Sequence, residues 1–163
     1  MTGYASQYPR PDHFVLHLSD THFLAGGRRL YDSLDSEAKL RQLFAELEAS
    51  GSRPEAIVFT GDLADKGDVL AYRAIRDIVE PVAERLGAQV VWVMGNHDDR
   101  ATFSSTLLDE PASDEPIDRV IDVNGLRIIA LDSTVPGHHY GHVTDAQLLW
   151  LQNVLATPAP HGT

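Results

Sequence analysis

The 163-residue chain is 43% hydrophobic and 23% charged, which gives one ordinary domain with a real core and excludes a disordered chain. Its 13 basic against 24 acidic residues leave a net charge of -11, a surface that repels phosphate backbones and argues against a nucleic-acid polymer as partner. With no cysteine, disulfides and thiolate metal sites are excluded, and no apolar run is long enough for a membrane span or follows a basic leader, so a soluble, cytoplasmic protein is expected.

Residues 1–11 are polar and proline-marked and are expected to form a flexible tail, with one domain over residues 12–163. A first strand is expected to begin at Phe14 and end at Ser19. His17 lies inside it, pointing opposite to its neighbours, as a packed or edge histidine. Leu40, Leu43, Phe44 and Leu47 then recur at helical spacing, with Gly51 placed to end that helix. A buried strand over Ala56 to Thr60 precedes a helix that Asp68 can cap and that Tyr72, Ile75, Val79, Val82 and Leu86 stripe; Pro81 should kink or divide it. A third strand, Gln89 to Met94, leads to a short helix starting near Asp99 or Arg100. The acidic, proline-rich segment from Asp109 to Pro116 reads as a loop. Asn124-Gly125 between Arg119–Val123 and Leu126–Leu131 is a hairpin signal. Thr144 and Gln147 form a capping box for a last helix carrying Leu148, Leu151 and Leu155. Strand–helix–strand–helix–strand order implies mostly parallel pairing, with the ligand site beyond the carboxyl ends of the strands.

Three chemistry-bearing segments occupy those ends: Asp20-Thr21-His22, Gly61-Asp62 and Gly95-Asn96-His97-Asp98. Asp20 and His22 are two apart on an extended segment and can point to one side. Carboxylate with imidazole suits manganese, iron or zinc better than calcium or magnesium. Asp62 can offer one oxygen to each of two cations, and Asn96 adds a neutral carbonyl oxygen. Taken singly, an Asp after a strand is a turn former or cap, and Gly-Asn is a turn signal. Their joint occurrence after three buried strands points to a two-metal hydrolytic site.

Asp20-x-His22, Gly61-Asp62-Leu63-Ala64-Asp65-Lys66-Gly67 and Gly95-Asn96-His97-Asp98 resemble the first three blocks of the calcineurin-like metallophosphoesterase superfamily. With Val135-Pro136-Gly137-His138-His139, they are similar to actinobacterial class III cyclic-nucleotide phosphodiesterases. The resemblance implies an α/β fold: the N-terminal half of a metallophosphoesterase-type β-sandwich flanked by helices, with a mostly parallel sheet and a β-hairpin. It implies that Asp20 and His22 bind a first metal, that Asp62 bridges and that Asn96 binds a second. The pair would be divalent or mixed-valence, manganese and iron, with zinc as the alternative. His97 would be a catalytic, substrate-facing group that protonates the departing 3′ oxygen, and Asp65 would orient it. Asp98 could either support the site from behind the ligands or cap the next helix, and the cap is the favoured reading. Of His138, His139 and His142, in a glycine-flanked loop, His139 is the candidate for a phosphate contact; a surface loop without a ligand is the alternative.

The implied reaction is hydrolysis of 3′,5′-cyclic nucleotides by a metal-bridged hydroxide. The alternatives are another phosphomonoester or diester substrate, or a catalytically incompetent metal-binding module. A homodimer is expected from the resemblance alone. The family completes its site with three later histidines in segments that this sequence does not contain, and His161 matches neither. The chain is therefore expected to be an N-terminal portion of a longer enzyme, with one sheet face uncovered.

Overall fold

The computed structural model describes residues 11–163, so the expected N-terminal tail lies outside the described residues apart from Pro11. Short β-branched and aromatic runs form three strands, β1 (Val15–Leu18), β2 (Ala56–Thr60) and β3 (Gln89–Val93). They pair in parallel in the order β1-β2-β3, with His17 opposite Val58 and Val58 opposite Val91. The first four residues of β2 are all buried, as expected of a central strand covered on both faces.

Helices α1 (Ser36–Ser50) and α2 (Val69–Leu86) supply the returns between those strands. Asp35 accepts from the Ala38 amide and Asp68 from the Leu70 amide, satisfying donors in each first turn. Gly51 and Gly87 take left-handed conformations at the two C-termini. Pro81 does not divide α2, which runs unbroken to Leu86. The carbonyl that Pro81 cannot serve belongs to Asp77, and both residues are exposed, so water can satisfy it. Helix α3 (Arg100–Leu107) is capped by Asp99, whose side chain accepts from the Thr102 amide at 2.9 Å. The expectation that Asp98 is the cap is thus corrected by one residue, for a reason given below.

Strands β4 (Arg119–Val123) and β5 (Leu126–Ala130) form an antiparallel hairpin. Asn124 (φ 53°) and Gly125 (φ 90°) take the two positive-φ positions of its two-residue turn. Helix α4 (Asp145–Leu155) begins with the expected capping box, Thr144 and Gln147 bonding reciprocally.

Ile57, Phe59 and Trp92 meet Leu40, Phe44, Tyr72, Ile75, Val79 and Phe103 in the main core, on the helix side of the sheet. The other face carries a smaller cluster of Ala56, Val58 and Val91 under Val123, with Ile121 and Ile128 of the hairpin at its margin. That face is therefore covered over β2 and β3 but open at β1, where exposed His17 places Nε2 2.6 Å from Thr60 Oγ1. Leu148, Leu149 and Leu155 of α4 are also exposed. The architecture is α/β, a three-stranded parallel sheet plus an antiparallel hairpin, flanked by helices.

Candidate metal centre

Beyond the carboxyl ends of β1 and β2 the chain stays paired without forming regular strand. Amides of Asp20, His22 and Phe23 donate to the carbonyls of Gly61, Asp62 and Leu63 at 3.1, 2.9 and 2.8 Å. Asp20, His22 and Asp62 all sit at positive φ (57°, 43° and 53°). Such a backbone costs about 1–2 kcal/mol per non-glycine residue, and clustered strain of this kind is characteristic of functional sites. It turns the three side chains toward one point.

Asp20, His22 and Asp62 each offer a ligand atom within 4.8 Å of the others. His22 Nε2 lies 3.8 Å from Asp20 Oδ1 and 3.9 Å from Asp62 Oδ2. A cation with bonds of about 2.0–2.2 Å to nitrogen and oxygen can span such separations. The donor set fits a borderline transition metal. His22 Nδ1 is buried without an aligned hydrogen-bond partner and is 3.3 Å from Asp65 Oδ1. Ligation through Nε2 would leave the Nδ1 proton facing that carboxylate, an arrangement common behind metal-bound imidazoles.

Asp65, expected to orient His97, lies behind both the His22 and the His97 rings. Its carboxylate is 3.3 Å from His22 Nδ1 but 3.7 Å from His97 Nδ1. The Asp65 backbone carbonyl takes His97 Nδ1 at 3.0 Å instead. A carbonyl can only accept, so Nδ1 carries the proton and Nε2 is the free ring nitrogen. The His22 and His97 rings meet edge to face at 4.8 Å. Asn96, just after β3, has its amide group 3.0 Å from His139 Nδ1, and the His139 ring is 6.1 Å from that of His97. The loop after β5 thus reaches the site through His139, while His138 stacks on Tyr140 and His142 is exposed.

Asp98 takes the less favoured of its two expected roles, support behind the ligands. Its carboxylate accepts from the amides of Leu63 (3.2 Å), Ala64 (3.0 Å) and Gly95 (2.8 Å) and from the Tyr72 hydroxyl (2.9 Å). Burial pushes this carboxyl above its usual range, against the pull of those four donors. Burial, followed by the Asp98 charge, pushes the Tyr72 phenol up as well. Asp98 clamps the Asp62 loop to the Asn96 loop, leaving Asp99 to cap α3. The His97 amide donates to Asp62 Oδ1 at 3.1 Å. A Cβ on Gly95 would lie 2.2 Å from that same oxygen, which explains the glycine.

The family model for calcineurin-like phosphoesterases matches residues 15–161. The chain belongs to that family. It is 56% identical over 163 residues to a probable cyclic nucleotide phosphodiesterase of Rhodococcus erythropolis, covering 100% of this chain and 54% of that protein. It is 58% identical over 159 residues to a cAMP/cGMP dual specificity phosphodiesterase of Mycobacterium tuberculosis, covering 98% of this chain and 50% of that protein. A dimetal phosphatase from Danio rerio superimposes with a TM-score of 0.61 at 16% identity, over 90% of this chain and 66% of that one, a likeness of fold. The chain spans about half the length of the curated relatives it matches. Members of the family hold a dinuclear metal centre, for which Asp20, His22 and Asp62 are candidate ligands here. Among the described residues, no helix is long and apolar enough to cross a membrane.

Proposed function

We propose that these residues carry the metal- and phosphate-facing half of a phosphodiesterase that hydrolyses 3′,5′-cyclic nucleotides to 5′-nucleotides. The observation that carries the reading is the convergence of Asp20, His22 and Asp62 within 4.8 Å, with His97 beside them. The names of the relatives from Rhodococcus and Mycobacterium support the substrate class.

Asp20, His22 and Asp62 would hold one cation, and Asp62 and Asn96 a second, manganese and iron or else zinc, all of which this donor set suits. When bound, the two ions activate water and clamp phosphoryl oxygens. His97 acts beyond them. Its Nδ1 is anchored on the Asp65 carbonyl, so an imidazolium there presents the Nε2 proton to the departing 3′ oxygen, a poor leaving group that needs it. Asp65 positions both rings, by its carbonyl for His97 and by its carboxylate for His22. His139, beside Asn96, would contact a phosphoryl oxygen.

Manganese-dependent hydrolysis of cyclic AMP by the full-length protein tests this, with a non-cyclic diester as comparison. Loss of most turnover in both Asp62→Ala and His97→Ala is the expected result. Near-native rates in either variant, or no preference for the cyclic substrate, would refute the assignment. The same assay on the 163-residue chain measures whether its own ligands suffice.

A further inference from the structure

At the opposite end of the sheet, four distant segments converge on a second group of histidines. His13 Nδ1 is 3.0 Å from Glu55 Oε2, and His13 Nε2 is 2.9 Å from His161 Nδ1. Asn124, in the hairpin turn, donates its side-chain amide to the same Glu55 oxygen at 2.9 Å. The His161 amide donates to the Gly125 carbonyl at 2.9 Å. Asp12 and Pro160 complete the lining of the open recess above.

From this arrangement we infer that His13 and His161, with Glu55 behind His13, form a second binding site, for a late first-row divalent cation such as Cu(II), Ni(II) or Zn(II). The protonation pattern carries the first part of the argument. Asn124 and His13 both bond the Glu55 carboxylate and lower its pKa, so it is an acceptor. His13 must then donate from Nδ1, which leaves the Nε2 lone pair directed at His161. A carboxylate behind one ring nitrogen with the other free is how proteins prepare imidazole for a metal.

Spacing carries the second part. Cis ligands about 2.0–2.1 Å from a square-planar cation are about 2.9 Å apart, and tetrahedral ones about 3.3 Å. The observed 2.9 Å therefore needs only a tilt of two partly exposed rings to admit the ion in place of the shared proton. His161 would bind through Nδ1, the proton it carries there passing to Nε2. Charge fits as well, since Glu55 and Asp12 together balance a divalent cation. Gly125 keeps the space open, because a Cβ there would lie 3.1 Å from His161 Nδ1.

Such an ion would clasp the segment before β1 and the segment after α4 to the hairpin turn. Copper(II) titration of metal-stripped protein, followed by electron paramagnetic resonance, tests the site. In a His22→Ala background, which takes a ligand from both Asp20–His22–Asp62 and His22–Asp65–His97, one equivalent with imidazole nitrogen couplings should remain. That signal should vanish on adding either His13→Ala or His161→Ala, and Glu55→Ala should weaken binding about 10–100-fold. Phosphodiesterase activity of His13→Ala and His161→Ala alone should match wild type. If the two histidine variants bind copper with unchanged stoichiometry and spectrum, the inference is wrong.

Discussion

Replacing Asp132 by alanine should be among the most damaging single changes outside the metal centre. Its carboxylate is fully buried and pairs with Arg100 Nε at 2.9 Å. It also accepts from the Ile117 amide at 3.0 Å and from the Thr134 amide and hydroxyl at 2.8 and 2.7 Å. Removing one partner of a buried ion pair costs about 3–5 kcal/mol, because the remaining charge is left uncompensated. The two abandoned, part-buried amides of Ile117 and Thr134 would add up to about 1–3 kcal/mol each if left dry, but water can reach them and offset most of that. Arg100 would also keep its bonds to the Asp114 and Thr134 carbonyls. About 3–5 kcal/mol is therefore the net expectation, a large fraction of the roughly 5–15 kcal/mol that stabilises a typical domain. Urea unfolding followed by tryptophan fluorescence reads the loss directly. An Arg100→Met/Asp132→Ala double variant should lose clearly less than the sum of the singles, since neither charge is then stranded. A single-variant loss below about 1 kcal/mol, or strict additivity, would refute the idea that this pair joins the start of α3 to the loop bearing His139.

Gly95→Ala forces a methyl to 2.2 Å from Asp62 Oδ1 and 2.4 Å from its amide. Overpacking of this kind costs about 1–3 kcal/mol, and displaced Asp62 should lower manganese affinity, measured by calorimetry. Thr144→Ala removes the capping box of α4 and should cost about 1 kcal/mol in thermal unfolding, with Thr144→Ser close to wild type. Asp109 is paired by both oxygens to Arg76, which holds its carboxyl below the ordinary value of 3.8. That pairing stabilises the fold above the ordinary value and is lost as pH falls through the lowered one. Asp109→Asn keeps a residue tolerant of the local φ of 53°. It should therefore lower the melting temperature near neutral pH but not in strong acid, and less in high salt because the pair is exposed. An equal loss at all pH values would contradict this.

Much of the molecule was set by local chemistry that a linear reading captures. Apolar runs of strand length alternate with helical stripes, and Asp35, Asp68, Gly51 and Gly87 close the helices by bonds reaching only a few residues. Asn124-Gly125 turns the hairpin because its backbone must adopt positive φ twice. Parallel order then places Asp20, Asp62 and Asn96 at one end of the sheet, so the candidate ligands are legible from their positions after the strands.

Contacts that join distant segments were decided only in three dimensions. Asp98 and Asp99 are adjacent carboxylates before one helix, and local preference cannot rank them as caps. The amides of Leu63 and Ala64 and the hydroxyl of Tyr72 claim Asp98, so the cap falls to Asp99. Asp65 meets two rings at once, its carbonyl taking His97 Nδ1 at 3.0 Å while its carboxylate lies 3.3 Å from His22 Nδ1. His161 looks like a tail residue in one dimension, yet it meets His13 from 148 positions away. Sequence by itself determined the elements and the end of the sheet where chemistry gathers, because those follow from periodicity and short-range bonds. Tertiary structure alone decided which polar groups pair across that end, because a buried donor or acceptor takes whichever partner the packed backbone brings within reach.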